Sequence, residues 1–153
     1  MTGAVHAAPP GTIAVHNPDW RAGMGSSLAA GLAALRAVPQ GPAGTHITAA
    51  VIALADQPLV GAEAVRRLIA ARDSGAAIAV AAYDGRPRNP VLIAREHWDG
   101  VLALASGDTG ARPFLRAHRE LVTLVECGDT GSPDDIDTPG DLARVAARVT
   151  APR

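Results

Sequence analysis

The ten residues AAVIALADQP at positions 49–58 say most about the fold of this chain. The first six, Ala49 to Leu54, form an uninterrupted apolar run, which is typical of a strand buried on both faces of a parallel sheet. Asp56 follows at the point where that strand should end, and Pro58 indicates a turn. Because ligands of open α/β sheets bind beyond the carboxyl ends of the strands, Asp56 is a candidate functional residue.

Short apolar runs alternate with helical patterns along the rest of the chain. Besides Ala49–Leu54, strands are predicted at Thr12–Val15, Ala76–Ala82, Pro90–Ile93 and Leu121–Glu126. Helices are predicted at Ser26–Val38, Gly61–Arg72, Arg95–Ala105 and Pro139–Val149. A further helix is predicted after the turn at Ser106–Gly110 and runs through His118, and loops are predicted at 41–44 and 83–89. This alternation predicts an α/β fold with a mostly parallel sheet and helices on both faces.

Composition limits the classes of partner. The 153 residues are 48% hydrophobic, and the 14 basic residues, all arginine, nearly balance the 15 acidic ones. A net charge of -1 gives no general reason to expect binding to nucleic acid or to an anionic membrane. The apolar runs fall far short of the ~20 residues of a membrane span, and the N-terminus lacks the pattern of a signal peptide. We therefore expect a cytoplasmic protein, with Cys127 as a reduced, inert residue.

A second acidic segment, Asp135 to Pro139, precedes the last predicted helix. Thr138 and Asp141 are spaced to form a capping box at its start, which leaves Asp137 free. If Asp56 and Asp137 converge on one edge of the sheet, their carboxylates would make an oxygen-ligand site for Mg²⁺. The alternatives are that Asp56 is an ordinary turn residue and that Asp137 only stabilises the positive end of the helix dipole.

Five motifs occur in order along nearly the whole chain: NPDW at 17–20, GMGSSL at 23–28, LADQP at 54–58, GDTGAR at 107–112 and DIDTP at 135–139. Together they resemble the motifs of the molybdenum cofactor cytidylyltransferases, a branch of the MobA-like nucleotidyltransferases. The resemblance implies a Rossmann-like fold and transfer of CMP from CTP to molybdopterin with Mg²⁺, with release of pyrophosphate.

The resemblance also implies roles for individual residues. Asp56 and Asp137 match the family's metal-binding and catalytic positions. Gly25, Ser26 and Ser27 match the segment that approaches the nucleotide base, where small residues let the backbone come close and hydroxyls can hydrogen-bond. The two serines are equally good helix-capping residues, and the two roles are compatible.

Three further residues match substrate-binding positions. Asn89 stands where the family often has histidine, and an amide cannot act as an acid or base near neutral pH. Asp108 and Arg112 belong to the GDTGAR motif; Arg112 could bind a phosphate or pterin, or form an ordinary surface salt bridge. Trp20 and Trp98 are expected to be packing anchors.

The family's opening segment has no counterpart here. In the family, a strand and a glycine-rich loop hold the triphosphate with backbone amides and basic side chains, whereas this chain has neither that loop nor any lysine. We therefore expect a single, N-terminally truncated domain over residues 1–153, with an uncovered sheet edge at Ala49–Leu54 that could self-associate. Transfer by this chain alone should be impaired. The alternative is a non-catalytic family member that acts as a binding or protein-interaction module.

Overall fold

The computed structural model describes residues 11–39 and 46–150. Its helices are α1 (Met24–Ala37), α2 (Ala62–Asp73), α3 (Trp98–Leu104), α4 (Arg112–Ala117) and α5 (Pro139–Thr150), and its strands are β1 (Ala49–Ile52), β2 (Ile78–Tyr83), β3 (Arg86–Ala94) and β4 (Val122–Glu126). The chain groups into two compact units, the first from the residues up to Ile47 and Asp99–Arg116, the second from Thr48–Trp98 and the residues from Ala117 onward. The loop predicted at 41–44 lies outside the described residues, and the single-domain organisation stays a prediction.

The second unit contains a four-stranded mixed sheet in the order β1-β3-β2-β4. Strand β3 runs antiparallel to both of its neighbours, while β2 and β4 are parallel, so β1, β2 and β4 share one direction. The α/β class predicted from the sequence is confirmed. The sheet is mixed rather than mostly parallel, because β2 and β3 form a hairpin rather than a crossover.

That hairpin occupies residues that the sequence pattern predicted as a loop, 83–89, and this prediction was wrong. Asp84 and Gly85 both have positive φ, 52° and 72°, as the two central residues of a tight hairpin turn require. Tyr83 then pairs with Arg86 and Ala82 with Pro87. The Asp-Gly pair was the signal for this turn, and it makes β3 begin before the apolar run at Pro90.

The core of the second unit lies between the sheet and α2. All six residues of β2 are buried, and Ala64 and Leu68 of α2 are fully inaccessible. Burial of a leucine side chain contributes roughly 1.5–3 kcal/mol. Cys127 is fully buried in the same cluster, and burial raises the pKa of its thiol, so it remains protonated near neutral pH. Trp98 is also fully buried, as predicted for a packing anchor, and its Nε1–H donates to the carbonyl oxygen of Ile93 at 3.1 Å.

The strand predicted at Thr12–Val15 is wrong. The structure gives these residues no strand, and the side chains of Ile13 and Val15 are 65% and 45% exposed. A short apolar run forms a strand only where a neighbouring strand pairs with its backbone groups. No strand in residues 11–39 or 46–150 pairs with this run.

In the first unit, the start of α1 packs closely against the turn at 105–108. Gly23 has a φ of 100°, and a Cβ there would lie 2.6 Å from the carbonyl oxygen of Gly107. Gly25 is buried, with the backbone nitrogen of Ser106 3.2 Å from the position of a Cβ. The glycines of the GMGSSL motif therefore permit a close backbone contact. In the part of the chain that the structure describes, no helix has both the length and the apolar character to cross a membrane.

Candidate functional site

The two acidic segments lie side by side in the second unit, beyond the carboxyl end of β1. The backbone N–H of Ile136 donates to the carbonyl oxygen of Asp56 at 2.9 Å, and that of Ser132 donates to the carbonyl oxygen of Leu59 at 3.2 Å. A Cβ at Gly131 would overlap with the Leu59 carbonyl oxygen, so only glycine fits there. The segment after β4 is thus joined through its backbone to the segment after β1.

Gln57 joins the same two segments through its side chain. It is 7% exposed, and its Nε2 donates to Asp135 Oδ1 at 2.7 Å and to the carbonyl oxygen of Pro133 at 3.0 Å. Its Oε1 is buried and has no hydrogen-bond partner among the described residues. The short bond to a carboxylate is of the strong, charge-assisted kind. Asp135 is therefore engaged in holding the two segments together.

Asp137 and Asp141 have different roles at the start of α5. Asp141 Oδ2 accepts hydrogen bonds from the Thr138 hydroxyl at 2.7 Å and the Thr138 backbone N–H at 2.8 Å, while the Asp141 N–H lies 3.2 Å from Thr138 Oγ1. These bonds lower the pKa of Asp141, and the predicted capping box is confirmed. Asp56 and Asp137 are both exposed, and neither carboxylate forms an ion pair or hydrogen bond within the described residues. They are the free carboxylates of this region.

The carboxylates of Asp56 and Asp137 suit Mg²⁺ better than a metal ion whose ligands all come from the protein. Among residues 11–39 and 46–150, no group of three or more His, Cys, Asp or Glu side chains forms a ready metal cage. Mg²⁺ usually takes one or two carboxylates and completes its shell with water and substrate phosphates. Two exposed, unpaired carboxylates on adjoining segments fit that pattern.

The loop that leads from β4 to the acidic segment is anchored on both sides. Glu126 accepts hydrogen bonds from the backbone N–H of Gly128 at 2.9 Å and of Gly85 at 3.1 Å, which lower the pKa of its carboxyl group. Arg67 of α2 binds both carboxylate oxygens of Asp129, at 2.6 Å and 2.7 Å. These contacts hold the first residues of the loop that leads from β4 to Asp137.

The first unit holds the predicted nucleotide segment. Nδ2 of Asn17 donates to the hydroxyl oxygens of Ser26 at 2.9 Å and Ser27 at 3.0 Å, and its Oδ1 accepts the backbone N–H of Asp19 at 3.0 Å. Gly23, not a serine, occupies the cap position of α1. Trp20, in the 3-10 turn of the same loop, is 62% exposed, with the Arg21 guanidinium carbon 5.0 Å from its ring centre. The prediction of Trp20 as a packing anchor was wrong.

The other predicted substrate residues fall on both units. In the first, Asp108 Oδ1 accepts the backbone N–H of Met24 at 3.3 Å, so this carboxylate faces the positive end of α1. Arg112, at the start of α4, is exposed and forms no ion pair with any described residue. In the second, Asn89 is half-buried in β3 and is followed by a cis peptide bond to Pro90. The geometry within each unit brings together Asp56 with the Asp137 segment, and Gly25, Ser26 and Ser27 with the Asp108 turn.

Sequence reasoning missed two residues that organise these regions, Asn17 and Gln57. Each stands inside a quoted motif, NPDW or LADQP. An amide in a turn and an amide after a strand end are both weak signals, because most such side chains face solvent. The many hydrogen bonds that each one makes became apparent only from the structure.

Known proteins support the family resemblance. Residues 3–122 match the MobA-like NTP transferase domain. The chain is 36% identical over 138 residues to nicotine blue oxidoreductase of Paenarthrobacter nicotinovorans, an alignment that covers 86% of this chain and 63% of that protein. The crystal structure of a Mycobacterium tuberculosis Rv0371c homologue from Mycobacterium sp. strain JC1 matches with a TM-score of 0.61 and 31% identity, over 80% of this chain and 57% of that one. The chain thus spans less than two thirds of each of these relatives. The match over most of its length establishes that the chain belongs to the MobA-like NTP transferase family.

Proposed function

We propose that this chain binds a nucleoside triphosphate together with Mg²⁺ and serves the transfer of CMP from CTP to the phosphate of a molybdopterin-type acceptor. The observation that carries the proposal is the pairing of the two acidic segments through the Ile136–Asp56 hydrogen bond and the Gln57–Asp135 contact. That pairing leaves Asp56 and Asp137 on adjoining backbone, with carboxylates that have no partner among the described residues. The motif order of the cytidylyltransferase branch supports CTP as the nucleotide.

The reaction is a displacement at phosphorus. An oxygen of the acceptor phosphate forms a bond to the α-phosphorus of CTP, and the bond from that phosphorus to the bridging oxygen breaks, which releases pyrophosphate. Asp56 and Asp137 would hold Mg²⁺, whose contribution is to neutralise phosphate charge as the transition state forms. Arg112, a cation with no ion-pair partner in the described structure, is proposed to bind a phosphate of the substrates. Asn89 and Asp108 are proposed to orient the acceptor.

We further propose that transfer by this chain alone is weak. None of its 153 residues is a lysine, so charge on the β- and γ-phosphates would be neutralised by arginine, backbone N–H groups and Mg²⁺ alone. Catalysis of phosphoryl chemistry depends almost entirely on such positioning and charge stabilisation. The alternative is a family member that binds nucleotide or a partner protein without catalysis.

The test is calorimetric titration of CTP with and without Mg²⁺, followed by an assay of pyrophosphate release in the presence of molybdopterin. We expect Mg²⁺-dependent binding that falls by more than about tenfold in Asp56→Asn and Asp137→Asn, because each removes a metal ligand. Asp73→Asn, an exposed aspartate at the end of α2, is the matched control and should bind as the wild type does. Absence of Mg²⁺-dependent nucleotide binding in the wild type would overturn the proposal.

A second candidate follows from the relative named nicotine blue oxidoreductase, which shares 36% of its aligned residues with this chain. Under this candidate the chain would catalyse an oxidation–reduction of a compound such as nicotine blue, with an added electron donor. Cys127 is not suited to be a redox centre, because it is fully buried and its thiol pKa is raised. A change in the absorption spectrum of nicotine blue that requires this chain and an added reductant, but not Mg²⁺, would favour this candidate over nucleotidyl transfer.

A further inference from the structure

Every hydrogen-bonding group of the Asn17 side chain is used, either in the loop before α1 or by the first turn of α1. Its Oδ1 accepts from the Asp19 N–H, which fixes the orientation of the amide, since a flipped amide would place an N–H group against that donor. Its Nδ2 therefore carries both protons toward the serines, one to Ser26 Oγ and one to Ser27 Oγ. Both serine hydroxyls are thereby acceptors of a hydrogen bond.

The two serines differ in what becomes of their own protons. The Ser26 hydroxyl lies 2.8 Å from the carbonyl oxygen of Gly23 and 2.9 Å from that of Asp19, so its single proton is shared between two backbone acceptors. The Ser27 hydroxyl has no acceptor among the described residues, and its side chain is exposed. Ser26 therefore ties the first turn of α1 to the preceding loop, whereas the Ser27 hydroxyl has a proton that no described residue accepts.

We propose that Asn17 is a positioning residue that fixes the Ser27 hydroxyl as a hydrogen-bond donor, and that this donor meets an acceptor atom of the nucleobase. This inference rests on the proposed function, since it concerns the segment that would approach the base. Cytosine offers such acceptors in its ring nitrogen N3 and its carbonyl oxygen O2. Ser26 takes no part in that contact and holds the loop instead.

The surroundings of the loop agree with a binding role. Trp20 is 62% exposed, and a large aromatic ring on a loop surface offers a face on which a base can stack. The close packing of Gly23 and Gly25 against the turn at 105–108 holds the start of α1, and with it Ser27, at a fixed place in the first unit.

The sharpest test reverses the hydrogen bond. Asn17→Asp keeps the acceptor for the Asp19 N–H but replaces the amide donor with a carboxylate oxygen, so that Ser27 would donate inward. Ser27→Ala removes the hydroxyl altogether. By titration calorimetry with CTP and Mg²⁺, we expect each variant to weaken binding by about threefold to tenfold, the range for one lost neutral hydrogen bond. The double variant should be no weaker than either single one, because both remove the same contact.

Two controls separate the contact from effects on charge and folding. Ser74→Ala deletes a comparable exposed hydroxyl at the C-cap of α2 and should bind CTP as the wild type does. Inorganic tripolyphosphate, which has no base, should bind equally to the wild type, Ser27→Ala and Asn17→Asp. If Asn17→Asp weakened the binding of CTP and of tripolyphosphate equally, its effect would come from charge, and the proposed role of Asn17 would be wrong.

The remaining outcomes are also distinct. If the wild type binds CTP and Ser27→Ala binds it equally well, the inference is wrong while the proposed function stands. If Ser27→Ala binds CTP more weakly than the wild type but Asn17→Asp does not, Asn17 does not set the direction of the hydrogen bond. If the wild type binds no nucleotide, both the proposed function and this inference are wrong.

Discussion

Arg67 and Asp129 form two parallel hydrogen bonds, at 2.6 Å and 2.7 Å, that join α2 to the loop after β4. The Arg67 guanidinium lowers the pKa of Asp129 below its ordinary value. For a carboxyl group with a lowered pKa in the folded state, the stabilisation is present above the unfolded pKa, about 4, and is lost as pH falls through the folded pKa.

Asp129→Asn should therefore lower the melting temperature near neutral pH and reduce the further loss of stability on acidification below about pH 4. The measurement is the melting temperature as a function of pH for the wild type and this variant, with Asp73→Asn as the control. An unchanged acid dependence in Asp129→Asn would show that the ion pair does not contribute to stability.

Gly23→Ala should destabilise the chain more than Gly75→Ala, although the two glycines have nearly equal φ angles of 100° and 103°. At Gly75 nothing lies within 4 Å of a Cβ, so only backbone strain of about 1–2 kcal/mol is expected. At Gly23 the Cβ would also press against Gly107, which adds roughly 1–3 kcal/mol. Urea unfolding of both variants measures the difference, and equal free energies of unfolding would contradict the close contact.

Trp98→Phe should lower the free energy of unfolding by about 1–3 kcal/mol, because the Ile93 carbonyl oxygen loses the hydrogen bond from Nε1–H. The cavity left by the smaller ring should lower it further. Trp20 and Trp98 are the only tryptophans. Because Trp20 is exposed and Trp98 fully buried, the variant should also lose the blue-shifted part of the fluorescence. Trp20→Phe should do neither, and a large loss of stability in that variant would contradict the exposure of Trp20.

Gln57→Leu should loosen the junction of the two acidic segments, because Asp135 and Pro133 lose their shared donor. We expect faster hydrogen exchange at the Ile136 amide and, under the proposed function, a Mg²⁺ affinity about tenfold lower in the CTP complex. The exchange experiment does not depend on the proposed function. Unchanged protection of Ile136 would mean that the backbone bonds alone hold the junction.

Strand β1 should mediate self-association. It stands at the end of the sheet order and pairs only with β3 among the described strands, so its other edge has no strand partner within the described residues. Light scattering over a concentration series should show oligomers, and Ala53→Lys, at an exposed position directly after β1, should reduce them, since a charged side chain discourages edge pairing. A monomer at all concentrations would contradict this prediction.

The sequence predicted those parts of the fold that depend on local pattern. The apolar runs of β1, β2 and β4 and the periodic helices α1 and α2 occur within a few residues of their predicted bounds. The capping box of α5 was found because both of its members are close in sequence. These features need only neighbouring residues to form.

Features that depend on distant partners were not predictable in the same way. Ile13 and Val15 have the composition of a strand but no strand partner within residues 11–39 and 46–150, so the pattern was misleading. The contact of Asp108 with Met24 joins residues far apart in the chain, and the role of Gln57 depends on a segment after β4. The motifs predicted a set of candidate site residues, whereas the structure supplied the hydrogen bonds that several of them make.

The division of the first unit between two stretches of chain has a consequence for protein synthesis. Strands β1, β2 and β3 all lie within residues 49–94 and can pair as soon as that stretch has left the ribosome. Helix α1, although made earlier, must wait for Asp99–Arg116 before its glycines find the turn against which they pack. The nascent chain therefore carries α1 without its contact to the turn at 105–108 while the sheet forms, and this is the interval in which a chaperone would be most useful.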